Sequence, residues 1–137
     1  MIIEAAQKLV SNEFVLEQKI SDEHGIVGII ARHGENVYIL VAKKYAYKGL
    51  ASFMVEIQDV ALDQGYDLIF YCDDLETFTV FDPNTVKTFA VDSTGSSKKS
   101  MTKWREIKLN YGIPLNRHLS GELPLLPDNQ QQLSIYG

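Results

Sequence analysis

A single cysteine, Cys72, leaves no internal disulfide to form, and one thiolate with three scattered histidines (His24, His33 and His118) cannot assemble a structural zinc site. Cys72 closes an apolar run and reads as a small buried hydrophobe rather than a nucleophile. No apolar stretch approaches the roughly 20 residues of a membrane span. The start, Met1-Ile2-Ile3-Glu4, has none of the basic residues that open a signal peptide. The expectation is a cytoplasmic protein with no membrane partner. Internal repeats are also absent, which excludes solenoids and propellers.

What remains is an ordinary globular composition: 137 residues, 45% hydrophobic and 23% charged, enough for one domain with one core. That domain is expected over residues 1–117. From Pro114 onward three prolines fall within fourteen residues and Gln130-Gln131-Gln132 follows, so residues 118–137 are expected to form an extended tail. Net charge is −5, but it is unevenly placed. Of thirteen bases and eighteen acids, seven and two lie between Lys87 and Arg117, net +5, leaving −10 elsewhere. A basic face on an acidic body can meet a phosphate backbone.

Residues 26–31 (Ile-Val-Gly-Ile-Ile-Ala) and 37–42 (Val-Tyr-Ile-Leu-Val-Ala) are β-branched, apolar and too short for helices, and His33-Gly34-Glu35-Asn36 between them reads as a hairpin turn. A turn centred between Gly34 and Glu35 sets Gly25 opposite Lys44 and Ile26 opposite Lys43. Ile2, Ala6, Leu9 and Val10 predict an opening helix, and residues 14–20 a first strand. Leu50, Phe53, Met54, Ile57 and Ala61 recur at helical spacing, predicting a helix from Gly49 to Gln64 that Gly65 stops. Val55 and Leu62 make a second stripe on it, to be covered by a terminal segment or a second subunit. Strands follow over 68–71, 77–81 and 102–109, with Asp82-Pro83-Asn84 ending the second and a polar loop over 92–100.

This order of helix, strand, hairpin, lysine, helix, strand and strand resembles the PD-(D/E)xK nuclease superfamily over residues 2–90. The resemblance also rests on the run Gly65-Tyr66-Asp67-Leu68-Ile69-Phe70-Tyr71 leading into Phe78-Thr79-Val80-Phe81-Asp82-Pro83. It implies a restriction-endonuclease-like α/β core, a central mixed sheet flanked by helices, and Mg²⁺-dependent hydrolysis of nucleic acid, DNA ahead of RNA. Such hydrolysis needs carboxylates to hold the ion and a cation to stabilise developing charge. The family places an aspartate on the first hairpin strand and Glu-x-Lys on the second. Here Lys43 and Lys44 end the second strand, but Val41 and Ala42 stand two positions before them. Some members take the carboxylate from the next helix, and Glu56 follows Lys43 with twelve residues between. For the other carboxylate the nearest acids are Asp22 and Glu23, because Gly25 and Ile26 cannot bind metal. The resemblance therefore implies catalytic Lys43 or Lys44 with Glu56, and metal held by Glu56 with Asp22 or Glu23. It equally admits a degenerate relative that binds without cutting. Lys98, Lys99, Lys103 and Arg105 around Trp104 combine phosphate contacts with a ring that can stack on a base.

Two other classes compete. Residues 46–51, Ala-Tyr-Lys-Gly-Leu-Ala, are similar to the last half of the acetyl-CoA pyrophosphate loop of GNAT acyltransferases, with Gly49 and Ala51 in place and Ala46 where Arg or Gln is wanted. A non-catalytic protein-binding or inhibitor module is supported by Asp73, Asp74 and Glu76 in one turn and by the Val55 and Leu62 stripe, which could pair two copies as a homodimer.

Overall fold

Alternation along residues 38–41 sends Tyr38 and Leu40 to one side of a sheet and Ile39 and Val41 to the other, and both sets are buried. A strand buried on both faces requires a layer above and a layer below. The structure, a computed structural model, supplies them. It describes residues 2–22, 25–42, 46–47, 49–72, 76–92 and 104–121, with the side chains of residues 22, 46 and 47 also outside the description.

In chain order the elements are α1 (Ile2–Val10), β1 (Val15–Asp22), β2 (Gly25–His33), β3 (Asn36–Val41), β4 (Ala46–Tyr47), β5 (Leu50–Met54), α2 (Val55–Gln64), β6 (Asp67–Cys72), β7 (Thr77–Phe81), α3 (Pro83–Phe89), β8 (Val91–Asp92), β9 (Trp104–Lys108), a 3₁₀ turn (Leu109–Tyr111), β10 (Ile113–Pro114) and α4 (Leu115–Leu119). The central sheet has the order β1-β2-β3-β6-β7-β10. Its β3–β6 pair is parallel and its other pairs are antiparallel. A second, antiparallel sheet has the order β4-β5-β9-β8. The expected α/β architecture, a central mixed sheet flanked by helices, is the one observed.

One face of the central sheet packs Leu40, Ile69 and Val80 against Leu9 of α1 and Leu115 of α4. The other packs Ile39, Leu68 and Phe70 against Ile57 of α2, Val86 of α3, and Phe53 and Ile107 of the second sheet. Burying each such side chain stabilises the fold by about 1.5–3 kcal/mol. Cys72 is buried, as read from the sequence. No helix among the described residues is long and apolar enough to cross a membrane.

Three expectations need correction. The helix begins at Val55, not Gly49, because residues 50–54 pair with β9 as a strand. Ala51, Ser52, Phe53 and Met54 are all buried, so this strand shows no alternation, and its apolar residues imitate helical spacing. The pyrophosphate-loop reading falls with it: Ala46 pairs with Ala51 and Tyr47 with Leu50 in a hairpin, and no helix starts there to present backbone N–H groups to a phosphate. Asp82-Pro83-Asn84 does end β7 but also opens α3: the Asn84 N–H donates to Asp82 Oδ1 at 2.8 Å and proline occupies the first turn. Beyond Pro114 the chain is helical over Leu115–Leu119 before residues 122–137, which lie outside the described part.

Candidate functional site

The predicted hairpin register is observed. Gly28 pairs with Val41 and Ile30 with Ile39, and the Ala42 N–H donates to Val27 O at 3.0 Å. The ladder thus brings Val41 and Ala42 to the end of the sheet where β2 begins; Lys43 and Lys44 lie outside the described residues. Asp22 pairs with Gly25, so its backbone is at that end too. β6 starts with Asp67 opposite Tyr38, at the far end of β3. To reach that start, α2 must run back along the sheet, which puts its first turn and Glu56 at the Lys43 end. Close packing fixes that turn over the hairpin: a Cβ on Gly28 would stand 3.1 Å from Ile57 Cδ1 and 3.1 Å from Ile39 Cγ2.

Glu56 is exposed, and it is hydrogen-bonded or ion-paired to no other described residue. No side chain caps the start of α2, so a carboxylate in its first turn also offsets the positive end of the helix dipole. Asp22 contributes only its backbone position, and Glu23 lies outside the described residues. Among the described residues no three His, Cys, Asp or Glu side chains converge as a metal set.

The second sheet brings the described flanks of the basic segment to the same place. Trp104 pairs with Met54, two residues before Glu56, and Asp92 pairs with Arg105, so both Asp92 and Trp104 stand beside the start of α2. Lys98, Lys99 and Lys103 belong to that segment, outside the described residues. Trp104 is half-buried in β9. Arg105 is held by the fold: Nη1 donates to Gln58 Oε1 at 3.0 Å, Nη2 donates to Ala90 O, and Nε stands 3.7 Å from Asp92 Oδ1. Its guanidinium joins β9, α2 and the end of α3, and its side chain is only 21% exposed. Gln58 is buried on α2, and this bond satisfies its amide oxygen there.

The opposite end of the sheet carries a cluster that the sequence did not reveal. His118 of α4 places Nε2 3.1 Å from the Tyr38 hydroxyl and 3.7 Å from Asp67 Oδ2. With the ring neutral and its proton on Nδ1, Nε2 accepts the Tyr38 O–H; with the ring protonated, Nε2–H donates to the Tyr38 oxygen and faces the carboxylate. Burial pushes the Asp67 carboxyl above its ordinary value; His118 opposes the shift and Asp82 adds to it. Burial also raises the Tyr38 hydroxyl, reinforced by Asp67 and opposed by a hydrogen bond with Asn36. These groups hold α4 on the sheet, and the cluster stands at the end away from Glu56.

No protein-family model and no curated protein matches the sequence. A solved structure of D212, a nuclease from a fusselovirus, is similar to this chain with a TM-score of 0.46 and 9% identity, over 85% of this chain and 82% of that one.

Proposed function

We propose that this chain is a nucleic-acid-associated protein of PD-(D/E)xK type, in which Glu56 on α2 takes the place of the usual strand glutamate and a divalent ion assists phosphodiester hydrolysis. One observation carries the reading. The exit of β3 toward Lys43 and Lys44, the end of β1 at Asp22, the first turn of α2 with Glu56, and both flanks of the basic segment meet at one end of the central sheet. A hard cation such as Mg²⁺ takes oxygen ligands, and Glu56 suits that role because no described residue engages it. Asp22 or Glu23 would complete the carboxylate pair. When bound, the ion polarises the phosphoryl oxygens and lowers the pKa of an attacking water. Lys43 or Lys44 would stabilise the charge that develops, and Lys98, Lys99 and Lys103 would grip the phosphates.

A second reading has its own support. The β2 residues facing this end are Gly25, Ile26 and Gly28, none of which binds metal, and that favours a relative that holds nucleic acid without cutting it. Incubating the protein with Mn²⁺ or Mg²⁺ and branched, single-stranded and duplex DNA, alongside gel-shift binding, separates the two. Metal-dependent cleavage that Glu56→Gln abolishes supports the first reading. Binding without cleavage leaves the second, and absence of both overturns the nucleic-acid reading.

A further inference from the structure

Beyond the cleavage end, the face of the central sheet that α2 covers is left partly open. Ile57 and Ala61 of α2 are buried, while Val60 and Gln64 face an open cleft beside β1. An open cleft of about 570 Å³ remains between β1 and the C-terminal half of α2, within the usual range for small-ligand sites.

The cleft is built by specific local features. A register shift in β1 between Leu16 and Gln18 sets Gln18 opposite Ile30, on the α2 side. Gly65, in the left-handed region at φ 70°, stops α2 just after Gln64, and the Tyr66 N–H bonds back to Ala61 O, so Tyr66 lies against the cleft wall. The result is two neutral amides, Gln18 and Gln64, a half-buried phenol ring, an aliphatic floor of Ile30 and Val60, and, among the described lining residues, a single cation, Lys19, on the rim. Each amide offers both a donor and an acceptor, as the edge of a nucleobase does. An aromatic ring beside aliphatic side chains suits a flat, weakly polar body, and one cation suits one phosphate. The groove on the opposite face, about 430 Å³ and lined mainly by aliphatic side chains such as Ile3, Val10 and Leu16, lacks this balance.

We infer that the cleft between β1 and α2 binds an unpaired nucleobase of a nucleic-acid strand, one freed from a duplex or carried on a single strand. This rests on the nucleic-acid reading above and narrows its substrate class, because a base stacked in a duplex has its edge already paired and cannot enter. From the cleft, β1 leads through Ser21 to Asp22, so the phosphate chain of a lodged base has a direct path to the Glu56 end.

The test measures binding of a labelled oligothymidylate and of a blunt duplex to the parent, to the double variant Gln18→Ala/Gln64→Ala, and to Tyr66→Leu. Both glutamines are exposed, so the double variant keeps the core intact and decides the matter if Tyr66→Leu fails to fold. The expected result is about a tenfold loss of affinity for the single strand with duplex binding unchanged. A parent that binds both probes, with variants that match it on the single strand or lose affinity equally on both, overturns the inference alone. A parent that binds neither probe overturns the inference, and one that also fails to bind or cleave branched DNA overturns the nucleic-acid reading itself.

Discussion

The two ends of the central sheet treat their polar groups in opposite ways. At the Asp67 end, Tyr38 and His118 share a hydrogen bond, with the Asp67 carboxylate 3.7 Å from the imidazole, all at least partly buried, and tie α4 to the strands. At the Lys43 end, Glu56 stands in solvent with no described partner, beside backbone that is tightly specified by Gly28 and Ile57. A polar group that already has its hydrogen bonds gains little from a ligand, whereas an exposed carboxylate on a rigid turn is free to take one. The difference separates side chains that maintain the fold from side chains available for chemistry, and Arg105, close to the second end, belongs with the first kind.

Substitutions at each end should therefore fail in different assays. The largest effect is expected from Glu56→Gln, which should reduce metal-dependent cleavage by about a hundredfold or more. Its thermal midpoint should stay at the parent value, because surface changes alter stability by only about 0.5 kcal/mol; a large fall in the midpoint would erase the contrast. Next comes Arg105→Ala, which leaves buried Gln58 and the Ala90 carbonyl without their donor. Urea titration should show a loss of about 2 kcal/mol, while the salt dependence of DNA binding stays unchanged. A shallower salt slope would instead mark Arg105 as a phosphate contact. His118→Ala should lower stability by about 1 kcal/mol and leave cleavage untouched, as checked by denaturation and the nuclease assay together.

The smallest effect concerns pH. Asp67 holds its proton more tightly folded than unfolded, since burial raises its carboxyl. Its contribution is therefore most favourable below the unfolded value of about 4 and is lost as pH rises through the raised folded value. Asp67→Asn should flatten the stability profile over that acidic window, measured by urea midpoints across pH. A profile parallel to the parent would remove Asp67 from the account.

The hairpin was legible because a two-residue turn dictates every pairing after it, and the observed Gly28–Val41 pair follows from Gly34 and Glu35 alone. β5 was not legible. A short strand buried on both faces has no period, and Leu50, Phe53 and Met54 fell on helical spacing by chance. The α3 start did carry a signal, Asp82 as cap and Pro83 in the first turn, but the same proline also reads as a strand stop. Tyr38, Asp67 and His118 are far apart in the chain and meet only through the parallel β3–β6 pair and the return of α4, so nothing local announced them. Of the candidate site, the spacing from Lys43 to Glu56 could be read from the sequence, whereas the engagement of Arg105 with Gln58 depends on the second sheet, which could not.

β1 ends the central sheet, and among the described residues nothing pairs along its outer side. Its ladder is interrupted twice, between Leu16 and Gln18 and again between Ile20 and Ser21, so its longest uninterrupted run is Gln18, Lys19 and Ile20. A neighbouring molecule seeking to extend the sheet would find too short a straight border and a lysine within it, so the same irregularities that shape the cleft also guard the protein against fibrous stacking.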